Sequence, residues 1–178
     1  MITGHLGVAA AVRSGWRDTS LLWLLPASVA PDLLDIAYAL VGICSPFGLY
    51  SHTVPAVALL ALAVAGAAYA VTGSRQTGMA AGALVLLHIP ADLVTGYKYF
   101  WPGGPLMGLD LYRRPVLDFV LETLVALGGW WLLRRDTKAP RWATVAVAAG
   151  VLVVMQAAFD TKAIGKPTAC EERAGPTR

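Results

Sequence analysis

Long runs of apolar residues alternate with short polar turns along this chain, and each run is close to the length of a membrane-spanning helix. Five such segments cover residues 20–43, 53–72, 78–95, 116–133 and 142–159. A helix rises about 1.5 Å per residue, so about 20 residues cross the hydrocarbon core of a bilayer. The pattern therefore predicts an all-α fold, an integral membrane helical bundle with about five spanning helices.

The boundaries of these segments carry recognisable helix signals. Prolines interrupt the first segment, and we expect a kink near Pro31. Thr53 is placed to cap the second segment, with Pro55 in its first turn, where a missing N–H costs nothing. Gly73 predicts the turn into the third segment.

The two ends of the chain are not predicted to span the membrane. The apolar stretch that ends at Arg13 is too short to cross a bilayer and lacks the basic residues that begin a signal peptide. We interpret it as a short N-terminal helix. From about residue 163 apolar periodicity is lost. The sequence thus predicts one membrane domain over residues 1–162 and a disordered tail over residues 163–178.

Composition agrees with the membrane class. Of the 178 residues 57% are hydrophobic and only 14% are charged, whereas a soluble domain carries roughly 25% charged residues. The net charge of +3 comes mostly from basic residues in loops, without a basic patch interleaved with aromatics, so no nucleic-acid partner is expected. The two cysteines, Cys44 and Cys170, do not have the spacing of metal ligands.

The distribution of basic residues predicts an orientation. If five spans alternate, one side holds a larger set of basic residues next to the spans, which the positive-inside rule makes cytoplasmic: Arg13, Arg17, Arg75, Arg134, Arg135, Lys138 and Arg141. The opposite side holds Lys98, Arg113 and Arg114, with Lys162 and Lys166 just after the last span. We therefore expect a multi-pass protein of the cell (inner) membrane whose 96–114 loop faces outward.

Two pairs of ionisable residues lie four positions apart inside apolar segments, His88 with Asp92 and Asp118 with Glu122. Residues at this spacing share one face of a helix. Ionisable groups inside a membrane span are costly and usually have a function. The structural alternative is that they are buried polar pairs that hold helices together.

Under the predicted topology all three histidines and several acids fall in the outer half of the bundle. Imidazole and carboxylate groups together make a mixed nitrogen and oxygen site, which suits zinc and is also possible for manganese or iron. The groups that could form this site are the imidazoles of His5, His52 and His88 and the carboxylates of Asp32, Asp35 and Asp92.

Three acids are candidates for catalytic roles, Asp35, Asp118 and Glu122, and either of the last two could instead be a ligand. A metal with an open coordination position activates water, and a neighbouring carboxylate can act as general base or orient a ligand imidazole. Asp35 shares a helical face with Asp32 if the helix continues past Pro31. Arg113 and Arg114 could hold a phosphate, although contact with lipid headgroups is the interpretation we prefer.

At these residues the chain resembles the bacterial membrane-bound metal-dependent hydrolases, relatives of the LexA-binding, inner-membrane-associated hydrolase family. The resemblance covers nearly the whole chain up to the tail. It lies in four motifs: Gly4-His5-Leu6-Gly7, Asp32-Leu33-Leu34-Asp35, Tyr50-Ser51-His52-Thr53 and His88-Ile89-Pro90-Ala91-Asp92-Leu93-Val94-Thr95.

The resemblance implies a distant link to zinc-dependent phospholipase C and the fungal zinc nucleases, which are helical and cleave phosphodiesters. It implies a divalent metal, most simply zinc, and five metal ligands: His5, Asp32, His52, His88 and Asp92. The expected function is hydrolysis of a phosphoester such as a phospholipid, with membrane lipid as partner. The chain departs from the family pattern at Phe47 and Gly96, where members often carry histidine.

Two other functions stay open at this point. The stretch Trp101-Pro102-Gly103-Gly104-Pro105 is similar to small membrane proteins described as permeases, so the acids and histidines could handle ions or protons. The chain could also be a non-catalytic membrane scaffold descended from such enzymes. The sequence leaves the oligomeric state open.

Overall fold

The protein is described here by a computed structural model that covers residues 2–136 and the isolated positions 150 and 154. This part of the chain forms six α-helices: α1 (Ile2–Gly15), α2 (Leu21–Ser28), α3 (Ala30–Leu40), α4 (Val54–Thr72), α5 (Arg75–Thr95) and α6 (Pro115–Asp136). Between α5 and α6 a small antiparallel hairpin pairs β1 (Lys98–Tyr99) with β2 (Leu106–Met107). The all-α class is confirmed for this part of the chain, and the hairpin is an addition that the sequence did not predict.

Three helices are long and apolar enough to cross a membrane, Val54–Thr72, Arg75–Thr95 and Pro115–Arg134, and they match three of the predicted segments. The pair α2 and α3 would make a fourth span if it crosses as one bent unit. The predicted segment 142–159 and the predicted tail 163–178 lie outside the described residues. The protein is thus a helical membrane protein by these spans, and the predicted number of five is not confirmed.

The first apolar segment is broken, as the prolines predict. Helices α2 and α3 meet at Val29 with a bend of 62°. Pro31 lies in the first turn of α3, where its missing N–H is tolerated. The bend therefore leaves backbone carbonyl groups at the end of α2 available to side chains from other helices.

Helices pack through small residues. Helix α1 lies against α6, and α4 against α5. At the α1–α6 crossing a Cβ atom added to Gly129 would lie 1.8 Å from the carbonyl oxygen of Gly7, so only glycine permits this approach. The buried core beside these contacts is rich in alanine, with Leu24, Val57 and Leu84 as its large members. Small residues at helix contacts are usual in membrane bundles, where close backbone approach replaces the hydrophobic effect.

The loops at one end of the bundle are fastened to the helices. The N–H of Val54, at the start of α4, donates to the carbonyl of Phe100 at 3.0 Å, and the N–H of Leu109 donates to the carbonyl of Leu93 at 2.8 Å. The rings of Phe47 and Tyr99 meet edge to face at 6.0 Å. The hairpin therefore lies over the end where α4 begins and α5 ends, which is where most of the predicted site residues are found.

Candidate metal centre

Four side chains from α3, α5 and the loop before α4 converge at this end: Asp32, His52, His88 and Asp92. Each offers one ligand atom, and the four atoms lie within 4.8 Å of one another. Three of these side chains are buried, and that of Asp32 is partly exposed. We call these four residues the His/Asp cluster. It is a group that could hold a metal ion.

The spacing of the cluster fits a small tetrahedral ion. The two Nε2 atoms of His52 and His88 lie 3.1 Å apart. The four measured nitrogen–oxygen distances from these atoms to Asp32 Oδ1 and Asp92 Oδ2 are between 3.2 and 3.6 Å. Ligands about 2.0–2.1 Å from a zinc ion in tetrahedral geometry are about 3.4 Å from each other. Five of the six ligand–ligand distances of the cluster are therefore close to those around such an ion.

Two side chains hold the ring of His52 at Nδ1, the nitrogen that faces away from the cluster. Its Nδ1 lies 2.7 Å from Ser51 Oγ and 3.3 Å from Asp35 Oδ2. A ligand imidazole commonly donates its second N–H to a carboxylate, which fixes the ring orientation and frees the other nitrogen. Gly48 makes room for this ring: its φ is 71°, and a Cβ there would lie 2.6 Å from His52 Nδ1.

His88 is held in the same way by the bend in the first apolar segment. Its Nδ1 lies 3.0 Å from the carbonyl oxygen of Ser28, the last residue of α2. An N–H on Nδ1 donates to this carbonyl and leaves Nε2 with a lone pair. When both imidazoles are neutral, two lone pairs face each other across 3.1 Å. This arrangement calls for a cation between them, either a proton or a metal ion.

An unpartnered oxygen supports the same conclusion. Asp32 Oδ2 is buried and has no hydrogen-bond partner among the residues that the structure describes. A buried carboxylate oxygen without a partner is costly, and a bound cation is one way to satisfy it. The donor set and the orphaned oxygen together fit a divalent metal at the cluster.

His5, also predicted as a ligand, lies beside the cluster. Its Nε2 is 3.2 Å from Asp92 Oδ1, while the other oxygen of Asp92 faces His52 and His88. Its ring stacks on that of His88, with centroids 3.9 Å apart. In this geometry His5 positions Asp92 and His88 from α1, and its own role as a ligand stays a prediction.

Lys98 lies at the rim of the cluster. From the sequence alone it is predicted only to be a basic residue of the outer loop. Its Nζ is 3.8 Å from Asp92 Oδ2, and with His52 and Asp92 it lines a cavity of about 10 Å³, roughly the room of one water molecule. Burial and the Lys98 ammonium lower the pKa of His52, but hydrogen bonds to three carboxylates outweigh them and raise it to about 10. Without a metal, this raised pKa favours a protonated His52 at neutral pH.

Asp118 and Glu122, predicted as catalytic acids, are buried but are not in the cluster. Glu122 Oε2 accepts hydrogen bonds from Thr3 Oγ1 at 2.8 Å and from the N–H of Gly4 at 3.4 Å. These contacts attach the first turn of α1 to α6. A catalytic role for either acid stays a prediction, and for Glu122 the structure adds a contact that holds two helices together.

Neither arginine that was considered for phosphate binding is placed at the cluster. Arg113 has an exposed side chain and pairs with Asp110, and Arg114 is exposed as well. Lys98 takes the nearer position because the hairpin folds back over the end of α5. This position could not be predicted from the sequence, because two short strands separated by a Pro-Gly turn are not long enough for a periodic pattern.

No protein-family model, no curated protein and no solved structure matches this chain. What the fold and the site define is a class: a helical membrane protein with a His/Asp cluster that could hold a metal ion. The family resemblance rests on the four motifs alone and stays a prediction.

Proposed function

We propose that the protein is an integral-membrane, metal-dependent hydrolase of a phosphoester, with a phospholipid as the substrate we favour. The observation that carries the proposal is the cluster of two imidazole nitrogens and two carboxylate oxygens at ligand spacing, buried at the end of a membrane bundle. A structural polar pair would not need four converging groups. Zinc is the metal we propose, because a tetrahedral site with nitrogen and oxygen ligands suits it.

The chemistry divides between the metal and the chain. A divalent ion bound at the cluster supplies Lewis-acid chemistry to a phosphoryl oxygen and to water. The residues around it hold the ligands: Asp35 orients His52, the Ser28 carbonyl orients His88, and His5 orients Asp92. Asp35 is also partly exposed, so its carboxylate can accept a proton from water at the edge of the cluster.

Lys98 is suited to bind the anionic group of the substrate. A phosphodiester carries one negative charge, and lysine binds phosphate as a point charge. The Lys98 ammonium is 3.8 Å from Asp92 and is partly exposed, so it can exchange its carboxylate partner for a substrate oxygen. A phosphate there would lie between the lysine and the cluster.

Location supports a lipid as substrate and the inner membrane as the site of action. The cluster lies at the end of α5, beside loops with exposed aromatic side chains such as Phe100 and Trp101. Aromatic residues of this kind are typical of the headgroup level of a bilayer. A phosphoester of a membrane lipid is at that level.

The experiment is an assay of purified protein in lipid nanodiscs, loaded with Zn²⁺. One substrate is a water-soluble aryl phosphodiester, and the other is a set of phospholipids whose products are identified by mass spectrometry. We expect hydrolysis that Asp92→Asn lowers by more than a hundredfold. Lys98→Met should mainly raise KM, because it removes binding of the anion rather than the metal.

The matched control for Lys98→Met is Arg113→Met, which removes a basic residue of the same outer loop away from the cluster. It should leave both kcat and KM unchanged. If metal-loaded protein hydrolyses neither substrate class above the rate of its Asp92→Asn variant, the proposed function is wrong.

A second candidate function has one specific observation in its favour. The bend between α2 and α3 places the carbonyl of Ser28 at the cluster, and broken helices with carbonyls at a polar site are typical of ion transporters. Proton or divalent-ion flux into sealed proteoliposomes, lost in Asp92→Asn, would favour this function over hydrolysis.

A further inference from the structure

An apolar groove leads from the side of the bundle to the His/Asp cluster. It lies between α1 and α5, and its volume of about 320 Å³ is at the lower end of the range for small-molecule sites. Its lining includes the apolar side chains of Val8, Leu84 and Leu87 and the imidazole rings of His5 and His88.

The lining of this groove suits a hydrocarbon chain. Among its described lining residues there is no carboxylate, lysine or arginine. Three of the four imidazole nitrogens face other groups: His88 Nδ1 bonds to the Ser28 carbonyl, His88 Nε2 faces His52, and His5 Nε2 bonds to Asp92. The groove therefore offers few hydrogen-bonding groups to an occupant, and an apolar occupant would leave none of its own groups unpaired.

The mouth of the groove opens at the depth of the bilayer. Leu87 lies eight residues before Thr95, the end of α5, which corresponds to about 12 Å along the helix axis. The hydrocarbon core is about 30 Å thick, so this position lies within it when α5 spans the membrane. Leu87 is 46% exposed. At this depth the surroundings of an exposed leucine are lipid chains or other protein.

We infer that this groove binds one hydrocarbon chain of a lipid that enters sideways from the bilayer, with the polar group of that lipid at the His/Asp cluster. The binding of a hydrocarbon chain is inferred from the groove itself. The identity of the polar group as a phosphoester rests on the proposed function. Because the groove is lined by the rings of His5 and His88, it sets the position of the chain relative to the cluster.

The test uses the full chain in nanodiscs that contain a phosphatidylcholine with a photoreactive diazirine in one acyl chain. After irradiation, lipid adducts are mapped by mass spectrometry. We expect adducts on the α1 peptide that contains Val8, which is half-buried and faces the groove. Leu87→Trp fills the mouth and should lower this labelling at least fivefold.

A neighbouring leucine provides the matched control. Leu86 is 48% exposed but does not line the groove, so Leu86→Trp should leave labelling of the α1 peptide unchanged. Both substitutions are at exposed positions, and folding is checked by gel filtration and thermal unfolding. Equal labelling of the α1 peptide in wild type, Leu87→Trp and Leu86→Trp would overturn the inference.

A second arm separates lipid from protein as the occupant. A photoreactive amino acid at position 87 should form adducts with lipid. Crosslinks from position 87 to another segment of this chain or to a second copy, without lipid adducts, would overturn the inference.

Labelling does not depend on turnover, so it distinguishes this inference from the proposed function. Groove labelling without hydrolysis would leave the inference standing and the proposed function wrong. If hydrolysis is present, Leu87→Trp should raise KM for long-chain phospholipids about tenfold and leave the aryl phosphodiester unaffected. An equal effect on both substrates would contradict a chain-binding role.

Discussion

At the scale of single residues, the geometry of the cluster depends on groups that bind the ring nitrogens facing away from it. The imidazoles of His52 and His88 both have a partner at Nδ1. The Asp35 carboxylate lies beside His52, and the Ser28 backbone carbonyl lies beside His88. The sequence predicted four of the converging residues because intramembrane histidines and acids are conspicuous. It could not predict the Ser28 carbonyl or Lys98, because their positions depend on the direction of a bend and on a short hairpin.

The raised pKa of His52 predicts a pH-dependent metal affinity. With a metal-free pKa of about 10, His52 is protonated at neutral pH and must lose that proton to bind a metal. We therefore expect the apparent zinc affinity to fall by about tenfold for each pH unit lowered between pH 8 and 6. Competition with a chelator of known affinity at three pH values measures it. An affinity that does not change with pH would contradict protonation of His52 in the metal-free protein.

The contacts of Glu122 predict a structural effect. Glu122→Ala removes the acceptor for the Thr3 hydroxyl and the Gly4 N–H, and unsatisfied buried donors cost about 1–3 kcal/mol. We expect a lower unfolding temperature in detergent and an unchanged zinc content per folded protein. Glu122→Gln retains an oxygen acceptor and serves as the control, with a smaller loss of stability. Loss of zinc or hydrolysis at an unchanged unfolding temperature would favour the catalytic role that the sequence predicted.

At the scale of helices, the predictions succeeded where the pattern was long. The apolar segments 53–72, 78–95 and 116–133 correspond to α4, α5 and α6, because a run of about 20 apolar residues has few alternatives to a helix. The kink near Pro31 was also predicted, but its 62° angle is set by how α2 and α3 pack. The hairpin was missed because its strands have only two residues each.

The α1–α6 crossing predicts a contrast between two adjacent glycines. A Cβ on Gly129 would lie 1.8 Å from the Gly7 carbonyl oxygen, whereas a Cβ on Gly128 would meet nothing within 4 Å. We expect Gly129→Ala to destabilise the protein by about 1–3 kcal/mol through overpacking. Gly128→Ala should be neutral or slightly stabilising, because alanine is the better helix former. Thermal unfolding of both variants decides it, and equal stability would contradict the crossing.

At the scale of the whole molecule, the candidate residues gather at one end of the bundle. His5 touches Asp92, and Glu122 touches the first turn of α1. The alternation of five spans predicts a common level for these groups, although the number of spans itself is not confirmed. Which side of the membrane that end faces depends on the positive-inside rule alone, so the orientation stays a prediction.

Orientation can be measured on intact cells. Pro102 lies at the exposed tip of the hairpin, on the side that the basic residues predict to be outward. Pro102→Cys should react with a membrane-impermeant thiol reagent before permeabilisation, and the parent protein without this cysteine gives the background. Labelling only after permeabilisation would reverse the orientation.

The central claim is that the His/Asp cluster binds a divalent metal. The direct test is metal analysis of purified, folded protein by mass spectrometry after dialysis against zinc buffered at micromolar free concentration. We expect about one zinc ion per chain in the wild type, with background levels in His88→Ala and Asp92→Asn. Asp18→Asn, a substitution at an exposed acid away from the cluster, should retain the metal. Background zinc in folded wild type, or equal zinc in wild type and Asp92→Asn, would contradict the account.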